Sequence, residues 1–129
     1  MYMLDTNIVI YAIKKKPKKV LDHISAHKPG ELCISSITYA ELVHGVEKSD
    51  HPDKNWIALS LMLSNFQILK FDEKAAEEYG QIYAELQKAG KPIGQMDALI
   101  AGHARSQNCI LVTNNLSEFK REKNLNLEN

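Results

Sequence analysis

Tyr2-Met3-Leu4-Asp5-Thr6-Asn7-Ile8-Val9 opens the chain with a short apolar strand that stops at an acid and turns at once into a helix. Tyr2–Leu4 is the strand. Ile8, Val9, Ala12 and Ile13 then share one face, so Asp5 or Thr6 opens the helix. The same unit repeats down the chain. Glu31–Ser35 reads as a second strand, and Thr38–Lys48 as a helix with Tyr39, Leu42, Val43 and Val46 inward. Gln67–Phe71 is a third strand. The helix after it runs from Asp72 to Ala89, with Ala75, Tyr79, Ile82, Tyr83 and Leu86 on one stripe. Asp72 caps its start and Gly90 suits the position just past its end. A helix over Asp97–Ser106 leads into Cys109–Thr113, an apolar run of the fully buried type. The connections are legible too. Lys16-Pro17 breaks the first helix, and Pro17 suits the first turn of another that carries Val20, Leu21 and Ile24. Pro29-Gly30 is a turn, Ser49–Lys54 a polar loop, and Trp56–Leu63 helical. Whether Leu125–Asn129 adds a final strand stays open. Strands alternating with helices predict an α/β fold, a parallel sheet of about four to five strands flanked by helices.

The chain has 129 residues, which predicts a single domain over residues 1–129. Apolar residues make up 44% and charged residues 25%, so disorder and low complexity are excluded. No apolar run approaches the roughly 20 residues of a membrane span. The acid precedes the lysines at the N-terminus, the wrong order for a secretory signal. Cys33 and Cys109 form no CxxC pair. A reducing, cytoplasmic setting is expected. Sixteen basic residues balance sixteen acidic ones, so no overall charge draws the chain to nucleic acid. The charge is uneven, however. Lys14, Lys15, Lys16, Lys18 and Lys19 fall within six residues, and Arg105, Lys120, Arg121 and Lys123 come late. Such clusters are either solvated helix ends or a phosphate-contacting surface.

In parallel sheets ligands collect at the carboxyl ends of the strands. Asp5 ends the first strand. Glu41 follows the second by about one helical turn, and Asn115 and Glu118 follow the fourth. Asp97 joins them if its helix begins at that rim. Each has a bland role. Thr38 and Glu41 have the spacing of a capping box. Asp5 and Asp97 are natural helix caps. Asn115 and Glu118 suit a turn and a surface. Together they have another reading. Converging carboxylates repel unless a cation joins them. Mg²⁺ takes one or two carboxylates, waters and phosphate oxygens. Helix N-termini nearby favour an anion such as a phosphodiester. The chemistry indicated is metal-assisted phosphodiester hydrolysis.

Four blocks carry a resemblance: Tyr2–Asn7, Ser35–Leu42, Pro92–Ala101 and Leu111–Phe119. In this order and at these separations they resemble the PIN-domain family and, within it, the VapC toxins of toxin–antitoxin pairs. The resemblance implies a PIN-like fold and a Mg²⁺- or Mn²⁺-dependent endoribonuclease. It implies that Asp5, Glu41 and Asp97 are the acids of the site, with Asp5 and Asp97 holding the metal and Glu41 managing the attacking water. Many PIN domains have an aspartate where this chain has Asn115, so Glu118 is assigned as the fourth acid. Met96 stands where this branch commonly has Asn. Asn7, Ser36, Thr113 and Asn115 would support the acids. Structured RNA is the implied substrate, with tRNA expected and the anticodon loop of initiator tRNA the leading candidate. Lys14, Lys15, Lys16, Arg105, Lys120 and Arg121 would contact its phosphates. A VapB-like antitoxin would be the partner, meeting operator DNA on the toxin's behalf, with Ile8, Tyr11 and Ile24 as candidate groove residues. The toxin would be a homodimer.

Two other readings compete. A catalytically weak PIN-fold module would bind RNA or a partner without cutting. A receiver domain would need adjacent acids after the first strand, and Leu4-Asp5-Thr6-Asn7 lacks them. No GxxxxGK[ST] or HExxH motif is present. His103 reads as solvated or packing, Cys33 and Cys109 as core, and Trp56 as a gap filler.

Overall fold

The computed structural model describes residues 1–14, 22, 24–114 and 127–128. Strand β1 (Tyr2–Leu4) leads into helix α1 (Thr6–Lys14), and a single 3₁₀ turn (Pro29–Glu31) leads into β2 (Leu32–Ser35). Helices α2 (Ser36–Glu47) and α3 (Pro52–Leu63) follow, then β3 (Gln67–Leu69). Helices α4 (Glu73–Lys88) and α5 (Gln95–Ser106) precede β4 (Ile110–Val112) and β5 (Leu127–Glu128). The expected helix starting at Pro17 lies outside the described residues for most of its length.

The strands form one parallel sheet in the order β3-β2-β1-β4-β5. Met3 pairs with Cys33 on one side and Leu111 on the other, and Leu111 pairs with Leu127. The chain winds outward from β1 through β2 to β3, then returns to place β4 against the free edge of β1. That reversal opens a crevice between the carboxyl ends of β1 and β4, where ligands of such sheets bind.

Side-chain alternation along the strands builds two cores, one on each face. Met3, Cys33 and Leu111 point to one face and meet Ile82 and Leu86 of α4 and Ile100, Ala101 and Ala104 of α5. Leu4, Leu32, Ile34 and Val112 point to the other and meet Ile8 and Val9 of α1, Leu42 and Val46 of α2 and Leu59 of α3. Each fully buried large side chain contributes about 1.5–3 kcal/mol. Both cysteines are free and buried, as expected of core residues. Trp56 packs on the second core, and its indole N–H donates to Glu47.

Helix ends follow local rules, with three shifts from expectation. The side chain of Asp72 accepts from Ala75 N at 3.0 Å and caps α4. Gly90 takes φ +71°, and Lys91 N donates to Leu86 O in the final turn. Asn108 plays the same part for α5 at φ +54°, with Cys109 N donating to Ala104 O. Helix α3 begins at Pro52, four residues before the expected Trp56, because proline suits a first helical turn. Helix α2 begins at Ser36 rather than Thr38: Ser35 is its cap, its side chain accepting from Ile37 N. Helix α5 begins at Gln95, with Gly94 as its cap.

Candidate active site

Asp5 stands one residue beyond β1, at the crevice, and is 5% exposed. Its N–H donates to Val112 O at 3.1 Å, which locks it beside β4. Oδ1 accepts from Ile8 N at 2.9 Å, the ordinary capping bond of α1. Oδ2 accepts from the Thr113 hydroxyl, just past β4. Burial pushes the Asp5 carboxyl above its ordinary value, the bonds from Thr113 and Ile8 pull it back, and the nearby Glu41 charge pushes it up again.

Glu41 lies in the second turn of α2. The capping box is not formed, because the cap is Ser35, three residues before Thr38. Glu41 Oε1 instead accepts from the hydroxyl of Thr6 at 2.6 Å. Asp97 lies in the first turn of α5, held inside that turn rather than at its tip because the helix starts at Gln95. The short link from α5 into β4 makes the helix run back along the sheet, so its first turn points to the carboxyl rim. Glu41 thus lies near enough to Asp5 for its charge to act there, and Asp97 sits in that first turn of α5. Among the described residues, no three acidic, histidine or cysteine side chains gather into one metal-sized group. Asn115 and Glu118 lie outside the described residues, as do Lys15, Lys16, Lys120 and Arg121.

The supporting residues divide. Thr113 is fully buried, and its hydroxyl donates to Asp5. Asn7 is exposed in the first turn of α1. Ser36 serves another purpose than expected: its oxygen accepts from Phe71 N at 3.0 Å, tying the exit of β3 to α2. Lys14 is exposed at the end of α1. Arg105 is bonded within the fold. Its Nε donates to Glu78 Oε2 at 2.6 Å and its Nη2 donates to Gln81 Oε1 at 3.2 Å, stapling α5 to α4. Ile8 is core at 3% exposure, so it lines no groove. A cleft of about 400 Å³ between α1, α2 and α3 is lined instead by Ile10, Ile13, Leu42, Val46 and Leu59, with Glu41 on its wall.

Two residues gained importance over the sequence reading. Thr6 opens α1, and its place beside Asp5 in the Tyr2–Asn7 block is the signal the sequence offers. His103 is fully buried, its Nδ1 2.7 Å from Ser35 Oγ, so it joins α5 to the cap of α2. Burial lowers its pKa, with Asp72 opposing.

The donor set fits a small divalent cation. Hard carboxylate oxygens suit Mg²⁺, which needs only one or two of them. The buried Asp5 anion, disfavoured by burial and by Glu41, gains most from a nearby positive charge.

The PIN domain family matches residues 2–123. Ribonuclease VapC2 of Haemophilus influenzae is 50% identical over 128 residues, covering 99% of this chain and 96% of that protein. A VapC of Shigella flexneri, described as a tRNA(fMet)-specific endonuclease, is 46% identical over 127 residues, covering 98% and 96%. The solved structure of VapBC2 from Rickettsia felis, bound to a DNA fragment from their promoter, gives a TM-score of 0.91 at 43% identity, covering 99% and 97%. The chain belongs to the PIN-domain family and, within it, to the VapC ribonucleases.

Proposed function

We propose that this chain is the toxin of a VapBC pair: a Mg²⁺- or Mn²⁺-dependent endoribonuclease that cuts tRNA and so halts translation. Initiator tRNA is the leading substrate, since the Shigella relative is described as specific for tRNA(fMet). The observation that carries the reading is the buried Asp5 carboxylate in the crevice, held by Ile8 and Thr113 with Glu41 beside it.

Asp5 and Asp97 would hold the ion, directly or through water, and Glu41 would complete its shell. When bound, the ion lowers the pKa of water and neutralises charge on the phosphodiester. Thr113 keeps Asp5 in place, as partners of metal ligands do. Glu41 takes a proton from the attacking water. The water oxygen bonds to phosphorus, the bond from phosphorus to O3′ breaks, and the departing oxygen takes a proton. The products carry a 5′-phosphate and a 3′-hydroxyl. Asn115 and Glu118 would support the acids, and Lys14, Lys15 and Lys16 would contact the RNA backbone.

A VapB-like antitoxin would silence the site and carry the pair to operator DNA. The apolar cleft suits its tail: Ile10, Ile13, Leu42 and Val46 take apolar side chains, and Glu41 on the wall draws a basic one. The pairing of only two carboxylates among the described residues favours a second reading, a catalytically weak PIN-fold module that binds RNA or a partner.

The test incubates purified protein with initiator tRNA and with total tRNA in Mg²⁺, then maps new 5′ ends. One new 5′-phosphate end, lost in EDTA and in Asp5→Asn, is expected. Full cutting by Asp5→Asn ends the assignment of Asp5. Binding without cutting by the unaltered protein selects the second reading.

A further inference from the structure

We propose that Thr6 is a positioning residue for Glu41: its hydroxyl occupies Oε1 and leaves Oε2 as the oxygen that meets water and metal. The inference rests on the nuclease reading. A threonine opening a helix ordinarily accepts from a backbone N–H near by. Asp5 already caps α1 through Ile8 N, which frees Thr6 to look elsewhere. Its hydroxyl reaches a carboxylate 35 residues away in sequence at 2.6 Å. A hydroxyl has one proton to give. Thr38 Oγ1 lies 3.5 Å from Thr6 Oγ1, so the short contact to Glu41 takes that proton. Thr38 is fully buried at the base of this contact, which limits where the Thr6 hydroxyl can sit.

The geometry gives the contact a consequence. A glutamate on a helix surface has three side-chain torsions and samples several rotamers. A charge-assisted hydrogen bond to one oxygen selects among them, and such bonds are about twice as strong as neutral ones. Asp5 and Thr6 are adjacent, so the same turn that fixes Asp5 also fixes Glu41. The opening turn of α1 thereby holds both of the carboxylates that influence each other.

The experiment compares Thr6→Val, which keeps the shape and removes the hydroxyl, with Thr6→Ser, which keeps the hydroxyl. Cleavage of initiator tRNA gives kcat and KM; calorimetric titration with Mn²⁺ gives affinity without any reaction; thermal melting reports the fold. Thr6→Val is expected to lower kcat and Mn²⁺ affinity by roughly 10–100-fold, with KM within about twofold and a small change in Tm, since the net contribution of one part-buried hydrogen bond to the fold is small. Thr6→Ser is expected to stay within a few-fold of the unaltered protein. Unaltered kcat and Mn²⁺ affinity in Thr6→Val, or equal losses in both variants, overturn the proposal. If the unaltered protein cuts no RNA, the nuclease reading fails by itself and the Mn²⁺ titration still decides Thr6. If it neither cuts nor binds Mn²⁺, both fall.

Discussion

The surroundings of Asp5 disfavour its charged form. Three groups bear on it: Thr113 and Ile8 stabilise the anion, while burial, the largest effect, and Glu41 oppose it. A carboxyl whose folded pKa is raised stabilises the fold fully below its unfolded value and loses that contribution as pH rises through the folded value. For Asp5 the window opens near the ordinary 3.8 and extends upward. Asp5→Asn removes the titration and keeps both contacts, because an amide oxygen accepts from Ile8 and an amide N–H₂ donates to the threonine oxygen. Melted in EDTA, Asp5→Asn is expected to match the unaltered protein near about pH 4 and to melt several degrees higher by about pH 7. A difference that stays constant across this range would show that burial does not dominate at Asp5. This site was visible in the sequence as an acid ending a strand, but its capping role and its active role looked identical there. In the structure one oxygen caps α1 through Ile8 and the other accepts from Thr113.

Helix boundaries decided what the acids could do. A start at Thr38 would have turned Glu41 back on its own helix, whereas the cap at Ser35 places it a full turn further in, where it reaches Thr6. Both serines and Thr38 are good caps by chemistry, so the sequence could not choose among them. His103 chose in part, since its ring meets Ser35 Oγ and holds that residue at the end of β2. The strongly periodic α4 was legible almost to the residue, because its stripe and its cap agree. The contact between α4 and α5 was not legible. A Cβ on Gly102 would lie 2.6 Å from both Cα and N of Tyr79, while one on Gly80 would meet nothing within 4 Å. Backbone cannot rotate aside as a side chain can. Gly102→Ala is therefore expected to lose about 1–3 kcal/mol in urea denaturation despite its better helix propensity. Gly80→Ala, with no neighbour to strike, should gain about 0.5–1 kcal/mol. Equal effects from the two would refute the close approach of these helices.

At the scale of the molecule, neutral net charge leaves RNA affinity to local clusters. Arg105 is withdrawn from them by Glu78 and Gln81. Replacing Lys14, Lys15 and Lys16 together by serine is expected to reduce the slope of log affinity for tRNA against log salt by about 2, roughly 0.7 per lost phosphate contact. Arg105→Gln should lower Tm and leave that slope alone. An unchanged slope in the triple variant would remove the lysines from the RNA surface. The sequence by itself determined the alternation of strands and helices, the burial of both sheet faces and the rim that carries the acids. All of these follow from periodicity, which is local and repeats every two or 3.6 residues. Only the tertiary structure decided which hydroxyl meets which carboxylate. Thr113 finds Asp5 across 108 residues because the strand order sets β4 against β1, and Thr6 finds Glu41 because α2 starts at Ser36. Threonine and acid side chains satisfy a local cap or a distant partner equally well, and the choice between them belongs to packing.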